Sequence, residues 1–236
     1  MLPTAGLTTA RGAETTSTTG AFADRDRVLT AEFGHPEDVG VIQVVFETHS
    51  ISEDNEREVA SGWSHSRLSH RGRELARGLG QRRGRDGIGA VFSSDLRRAA
   101  ETAEIGFADS GIPILLDWRL RECDYGELNA KPLAEHTGHR KTFLDEPYPG
   151  GESWRQAVSR VGGFIDDLST RWQGQRVLVI GHVATRWGLD HYLAGVALEE
   201  LADAEFNWQE GWEYTVESAT AAAGGRGNAA GDRRLR

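Results

Sequence analysis

One cysteine, Cys123, in a chain of 236 residues excludes an internal disulfide and fits a reducing compartment. No apolar run approaches the ~20 residues that a membrane-spanning helix needs, so no membrane association is expected. Basic charge is in deficit: 27 Lys and Arg stand against 36 Asp and Glu, a formal net charge of −9. An acidic body repels nucleic acid and anionic membrane surfaces, and neither is expected as a partner. An anion could still bind where basic groups converge in one pocket. The amino end lacks the charged-then-apolar layout of a secretory signal, which makes the cytoplasm the expected compartment.

What is present alternates between two periods. Val41-Ile42-Gln43-Val44-Val45-Phe46 is a β-branched run of the kind that forms a buried parallel strand, with Glu47-Thr48-His49-Ser50 leaving its carboxyl end. A helix is predicted over Arg71 to Arg83, then a strand at Ala90-Val91-Phe92. Ser93-Ser94-Asp95 reads as N-cap chemistry for a helix from Asp95 to Phe107. Pro113 to Leu116 predicts a third strand. Residues 117–150 form a long irregular stretch holding three of the six prolines. A helix over Glu152 to Trp172 follows, with Glu152-Ser153 read as a helix-start feature. A strand then ends at Gly181, a helix runs from Val183, and a final strand covers Trp212 to Val216. Strands alternating with helices imply one α/β domain over residues 40–216, a three-layer α/β/α sandwich on a mostly parallel sheet. Residues 1–39 are Thr-, Ala- and Gly-biased and predict a disordered extension, with a thin case for a short helix over Ala21 to Phe33. Residues 217–236 predict a disordered tail. The sequence has no internal repeat.

Open α/β sheets bind ligands at the carboxyl ends of their strands, which brings His49 and His182 forward together. Five segments then line up in order. They are Thr48-His49-Ser50 with Asn55 six residues past the histidine, Ser93-Ser94-Asp95-Leu96-Arg97-Arg98-Ala99 with Thr102-Ala103, Leu120-Arg121-Glu122 with Gly126, Gly150-Gly151-Glu152-Ser153, and Gly181-His182. Over about residues 41–216 the chain resembles the histidine phosphatase superfamily, the phosphoglycerate-mutase-like group. That resemblance implies the phosphoglycerate-mutase-like fold and catalytic roles for His49, Arg98, Glu122 and His182. It implies a phosphohistidine on His49, Glu122 as the acid and base, and substrate contacts from Asn55, Thr48 and Ser50.

The chemistry agrees. A phosphomonoester is a dianion, and a neutral imidazole can attack its phosphorus without charge repulsion. Arg98 would hold phosphate oxygens by forked contacts, and His182 would join it at a helix amino end with open N–H groups. The scheme needs neither metal nor cofactor, and its partner is a small phosphorylated substrate; oligomeric state is not legible. Metal-independent hydrolysis is the first reading. A mutase, or a binding protein that has lost catalysis, are the alternatives.

One departure stands out: the family's Arg-His-Gly is Thr48-His49-Ser50 here. A charge-assisted hydrogen bond contributes ~1.5–3 kcal/mol, so its loss predicts one to two decades in rate or affinity. Strand alternation puts Glu47 on the same face as His49, where a carboxylate would repel phosphate unless an arginine pairs with it. Arg57, Arg97, Arg121 and Arg186 are the candidate replacements. Bland readings apply elsewhere: Asn55 as a turn-former, Cys123 as an inert buried thiol, His136 and His139 as loop residues. Trp63 is expected at the substrate entrance.

Overall fold

The computed structural model describes residues 40–217 except 137, 138 and 205. Residues 1–39, with the helix considered over Ala21 to Phe33, and residues 218–236 lie outside those described; Glu217, placed in the predicted tail, is instead the last residue of the final strand, paired with Val41. In chain order the elements are β1 (Val41–Thr48), α1 (Glu53–Glu56), β2 (Val59–Ala60), α2 (His70–Arg83), β3 (Ile88–Ser93) and α3 (Arg97–Phe107). They continue with β4 (Ile114–Leu116), β5 (Lys131–Pro132), α4 (Trp154–Arg171), β6 (Arg176–Gly181), α5 (Val183–Ala194), α6 (Leu198–Asp203) and β7 (Trp212–Glu217).

Five strands form one sheet in the order β4-β3-β6-β1-β7, and β2 pairs with β5 separately. All pairings in the main sheet are parallel except β1 with β7. Period-two alternation sorts the sheet's side chains between two helical layers. Ile42, Val44, Phe46, Val177 and Val179 pack on Val161, Phe164, Leu168 and Leu189 of α4 and α5. Val45, Val91, Leu178 and Ile180 pack on Leu79, Ala99, Ala103 and Phe107 of α2 and α3. The architecture is the expected three-layer α/β/α sandwich. Helices α2 and α3 approach closely because both carry glycine at the contact. A Cβ on Gly80 would collide with the Gly106 carbonyl oxygen.

Two helix starts differ from the sequence reading. Helix α3 begins at Arg97 with Leu96 as its N-cap and no side-chain cap bond. The Asp95 carboxylate is taken instead by a forked pair with Arg121, both bonds 2.6 Å. Helix α4 begins at Trp154, not at Glu152. Ser153 caps it, its hydroxyl accepting from Gln156 N while Gln156 Oε1 accepts from Ser153 N, a reciprocal capping box.

Candidate active site

Strands β1 and β6 run side by side, Thr48 opposite Gly181, and the pairing continues one step as His49 N donates to Gly181 O at 3.0 Å. Both histidines are thereby delivered to the carboxyl edge of the sheet, with ring centroids 4.9 Å apart. They stand at the floor of a cavity of about 650 Å³, which Arg98, Glu122, Thr48, Ser50 and Asn55 also line. The four residues expected to be catalytic are therefore together.

Hydrogen bonds fix the tautomer of each ring. His49 Nδ1 lies 2.7 Å from the Ser50 carbonyl, which can only accept, so Nδ1 carries the proton and Nε2 a lone pair. Arg98 Nε donates to that Nε2 at 3.2 Å. A second guanidinium nitrogen donates to Gly62 O at 2.9 Å and to His182 Nδ1 at 3.3 Å. Because guanidinium has no acceptor, His182 carries its proton on Nε2. That atom is buried and has no hydrogen-bond partner among the described residues. Burial, and then the Arg98 charge, lower the His49 imidazole to a pKa of about 3, partly opposed by the Ser50 carbonyl. His182 is held well below the usual histidine range by burial, the Arg98 charge and the His49 ring. Both rings are neutral at pH 7. Burial lowers Arg98 as well, while Glu122, Tyr125 and Asp54 oppose it, and a guanidinium stays charged throughout.

Glu122 is buried, and three backbone N–H groups hold its carboxylate. Cys123 N and Ala184 N donate to Oε1 at 2.9 and 3.0 Å, and Val183 N to Oε2 at 3.3 Å. This corrects the expectation that the amino end of α5 offers open N–H groups to the ligand: its first donors belong to Glu122. His182 N is likewise taken, by Thr185 Oγ1 at 3.1 Å.

The three residues expected to contact substrate do different things. Ser50 steadies His49 through its carbonyl, while its N–H donates to Thr102 Oγ1 at 3.0 Å. Asn55 does form a turn: its Oδ1 accepts from Ser52 N and Ser52 Oγ, both at 2.9 Å, capping α1. Thr48 faces the cavity where the family motif has arginine.

None of the four candidate replacement arginines lines the cavity. Arg57 pairs with Asp54, Arg97 with Glu101, Arg121 with Asp95 and Arg186 with Asp190. Arg71, Arg82 and Arg140 line it instead. Glu47 is buried on the α2 side, where Arg83 Nε donates to it at 2.9 Å and Arg82 lies 3.4 Å away. Glu47 also lines the cavity, but its charge is paired with the arginines of α2. Trp63 does not line the cavity; Arg121 lies over its ring, and its indole N–H donates to Glu122 O at 2.6 Å. Cys123 is buried with its thiol raised well above the usual range, by burial first and then by Glu122 and Glu152, which fits an inert role. Among the described residues no group of three or more His, Cys, Asp and Glu is arranged to hold a metal. No helix among them is long and apolar enough to cross a membrane.

The residue that sequence reasoning missed is Arg160. It is buried and donates to the carbonyls of Arg119, Arg121 and Glu122 at 2.7–2.8 Å, and to both carboxylate oxygens of Glu152 at 2.9 Å. With Trp63 it clamps the segment that carries Glu122. A signal was present: Arg160 interrupts the apolar stripe Ala157, Val158, Val161, Phe164 of α4, and an arginine on a buried face needs acceptors.

The chain is similar to several known proteins in sequence and in fold. The "Probable phosphoglycerate mutase GpmB" of Salmonella typhi is 33% identical over 150 residues, which cover 60% of this chain and 70% of that one. Among solved structures, "Bacillus stearothermophilus YhfR" is 25% identical with a TM-score of 0.63, covering 71% of this chain and 87% of the other. A phosphoglycerate mutase from Bacillus anthracis has the same fold, with a TM-score of 0.62 at 21% identity, over 77% of this chain and 94% of that one. Residues 46–212 match the histidine phosphatase superfamily (branch 1), and the chain belongs to that family.

Proposed function

We propose that this protein hydrolyses small phosphomonoesters through a phosphohistidine on His49. The observation that carries the reading is the state of the two rings, with a lone pair on His49 Nε2 beside Arg98 and a buried N–H on His182 that has no partner among the described residues. One supplies a nucleophile; the other is a donor waiting for an oxygen. In the first step His49 Nε2 attacks phosphorus and the ester P–O bond breaks. The departing oxygen takes a proton from Glu122, which is the acid in this step and the base in the next, so the alcohol leaves neutral. Water then attacks the P–N bond, Glu122 takes the proton, and inorganic phosphate and neutral His49 are regenerated. Arg98 and His182 hold the phosphoryl oxygens through both steps.

A mutase reading draws support from the name of the Salmonella relative. It would keep the phosphoryl group on His49 and return it to a second position of a small acid. Such an acid needs cations beside Glu122, where this chain has Asp124 and Tyr125. Hydrolysis is the better fit. The non-catalytic reading rests on Thr48 and Glu47, and the pairing of Glu47 with Arg83 weakens it.

The test is phosphate release from a panel of phosphomonoesters, glycerate phosphates included, comparing the native chain with His49→Ala. Release should fall by about 10³-fold or more in the variant, as when a nucleophile is removed. Equal release from both chains would remove His49 as nucleophile.

A further inference from the structure

The floor of the cavity answers to a phosphoryl group; its mouth answers to something else. Among the described residues eight large hydrophobic side chains are well exposed, and four of them, Leu75, Leu133, Phe206 and Trp208, line this one cavity. They come from three separate parts of the chain: α2, the turn after β5, and the segment between α6 and β7. Trp208 is the most exposed of all eight, at 59%. Scattered exposed hydrophobics are ordinary, but convergence of distant segments around one opening marks a binding surface.

The charges at the mouth point the same way. Arg82 is engaged by Glu47 and Glu210, and Arg140 donates to the Ala204 carbonyl. Of the rim arginines only Arg71 has no side-chain hydrogen bond or ion pair among the described residues, too little to hold a small polyanion. A planar guanidinium also stacks over an aromatic face. The volume of about 650 Å³ suits an organic group much larger than a glycerate.

We infer that the alcohol released by this enzyme is bulky and apolar, with an aromatic ring, and is seated against Leu75, Leu133 and the Phe206–Trp208 segment. This inference rests on the phosphatase reading above. The seat contributes by removing apolar surface from water, and acts chiefly on KM.

The test compares 2-phenylethyl phosphate with ethyl phosphate. Both release a primary alcohol, so the ratio reports the seat rather than the leaving group. Phenylethyl should be preferred in kcat/KM by about tenfold or more, given what apolar pockets discriminate per methylene. The double variant Leu75→Gln with Trp208→Gln should cut that ratio at least about threefold. Calorimetric binding of 3-phenylpropylphosphonate against ethylphosphonate, neither of which has an ester to hydrolyse, separates the seat from the chemistry. A preference there without turnover of either ester supports the apolar seat and overturns hydrolysis. Equal kcat/KM for the two esters, with equal affinity for the two phosphonates, overturns the seat while leaving hydrolysis standing.

Discussion

The floor and the mouth of the cavity are built by opposite means. The functional groups at the floor are set by their neighbours: Ser50 fixes the His49 tautomer, Arg98 bridges both rings, and backbone N–H groups hold Glu122, while His182 Nε2 has no partner among the described residues. His49 and His182 leave strand ends, Arg98 lies in the first turn of α3, and Glu122 is pinned to the start of α5. The mouth is assembled from an exposed helix face and two loops, and its walls are apolar side chains with few directional bonds. A preorganised polar floor stabilises developing charge without reorganising, which suits a reaction common to a family. Apolar walls discriminate by area, and can change without disturbing the chemistry beneath them.

Substitutions at the floor should therefore lower turnover for every ester alike, while those at the mouth change the ranking of esters. Arg98→Lys is the severest case after the nucleophile itself. Lysine keeps the charge but not the fork, so it cannot reach His49, His182 and Gly62 together. We expect kcat/KM to drop by about 10²-fold or more, equally for ethyl and phenylethyl phosphate, as on losing an oxyanion donor. A drop confined to one ester would break the division between floor and mouth.

Arg160→Lys should have a smaller effect of a different shape. Arg160 does not line the cavity; it acts through the carbonyls of Arg119, Arg121 and Glu122. If it positions the acid, esters with basic leaving groups suffer most, since they depend on the proton. We expect about tenfold lower kcat for ethyl phosphate, within the range of general acid catalysis, and a smaller loss for 4-nitrophenyl phosphate. A merely structural role would lower both equally.

The same contrast explains what was legible in the sequence. Strands β1, β3 and β6 announce themselves by β-branched runs, and their ends place His49 and His182 without further help. Glu122 and Arg98 could be singled out because Leu120-Arg121-Glu122 and Ser93 to Ala99 are local patterns. What escaped depends on pairing across the chain. Arg83 meets Glu47 from 36 residues away, and Asp95 is drawn from its expected cap by Arg121, 26 residues on. Nor does spacing reveal that Glu122 occupies the first N–H groups of α5, which are 61 and 62 residues distant. The mouth was least legible of all, because Leu75, Leu133 and Trp208 carry no motif and converge only once the chain is folded.

The finest test of the floor is Thr48→Arg, which restores the side chain that the family motif carries. Thr48 lines the cavity beside His49 and opposite Gly181, so an arginine there has the phosphate seat within reach. One added charge-assisted hydrogen bond is worth ~1.5–3 kcal/mol, part of it offset by ordering a long side chain. We expect kcat/KM to rise about tenfold for both esters, with their ratio unchanged. Glu47 bears on the outcome, since its carboxylate precedes Thr48 and is already satisfied by Arg83. Were the new guanidinium captured by Glu47, Arg83 would lose its partner and the melting temperature would fall without a gain in rate. A rise in kcat/KM at unchanged melting temperature would instead show that Glu47 is fully engaged by α2, and that the floor works below its capacity for want of one donor.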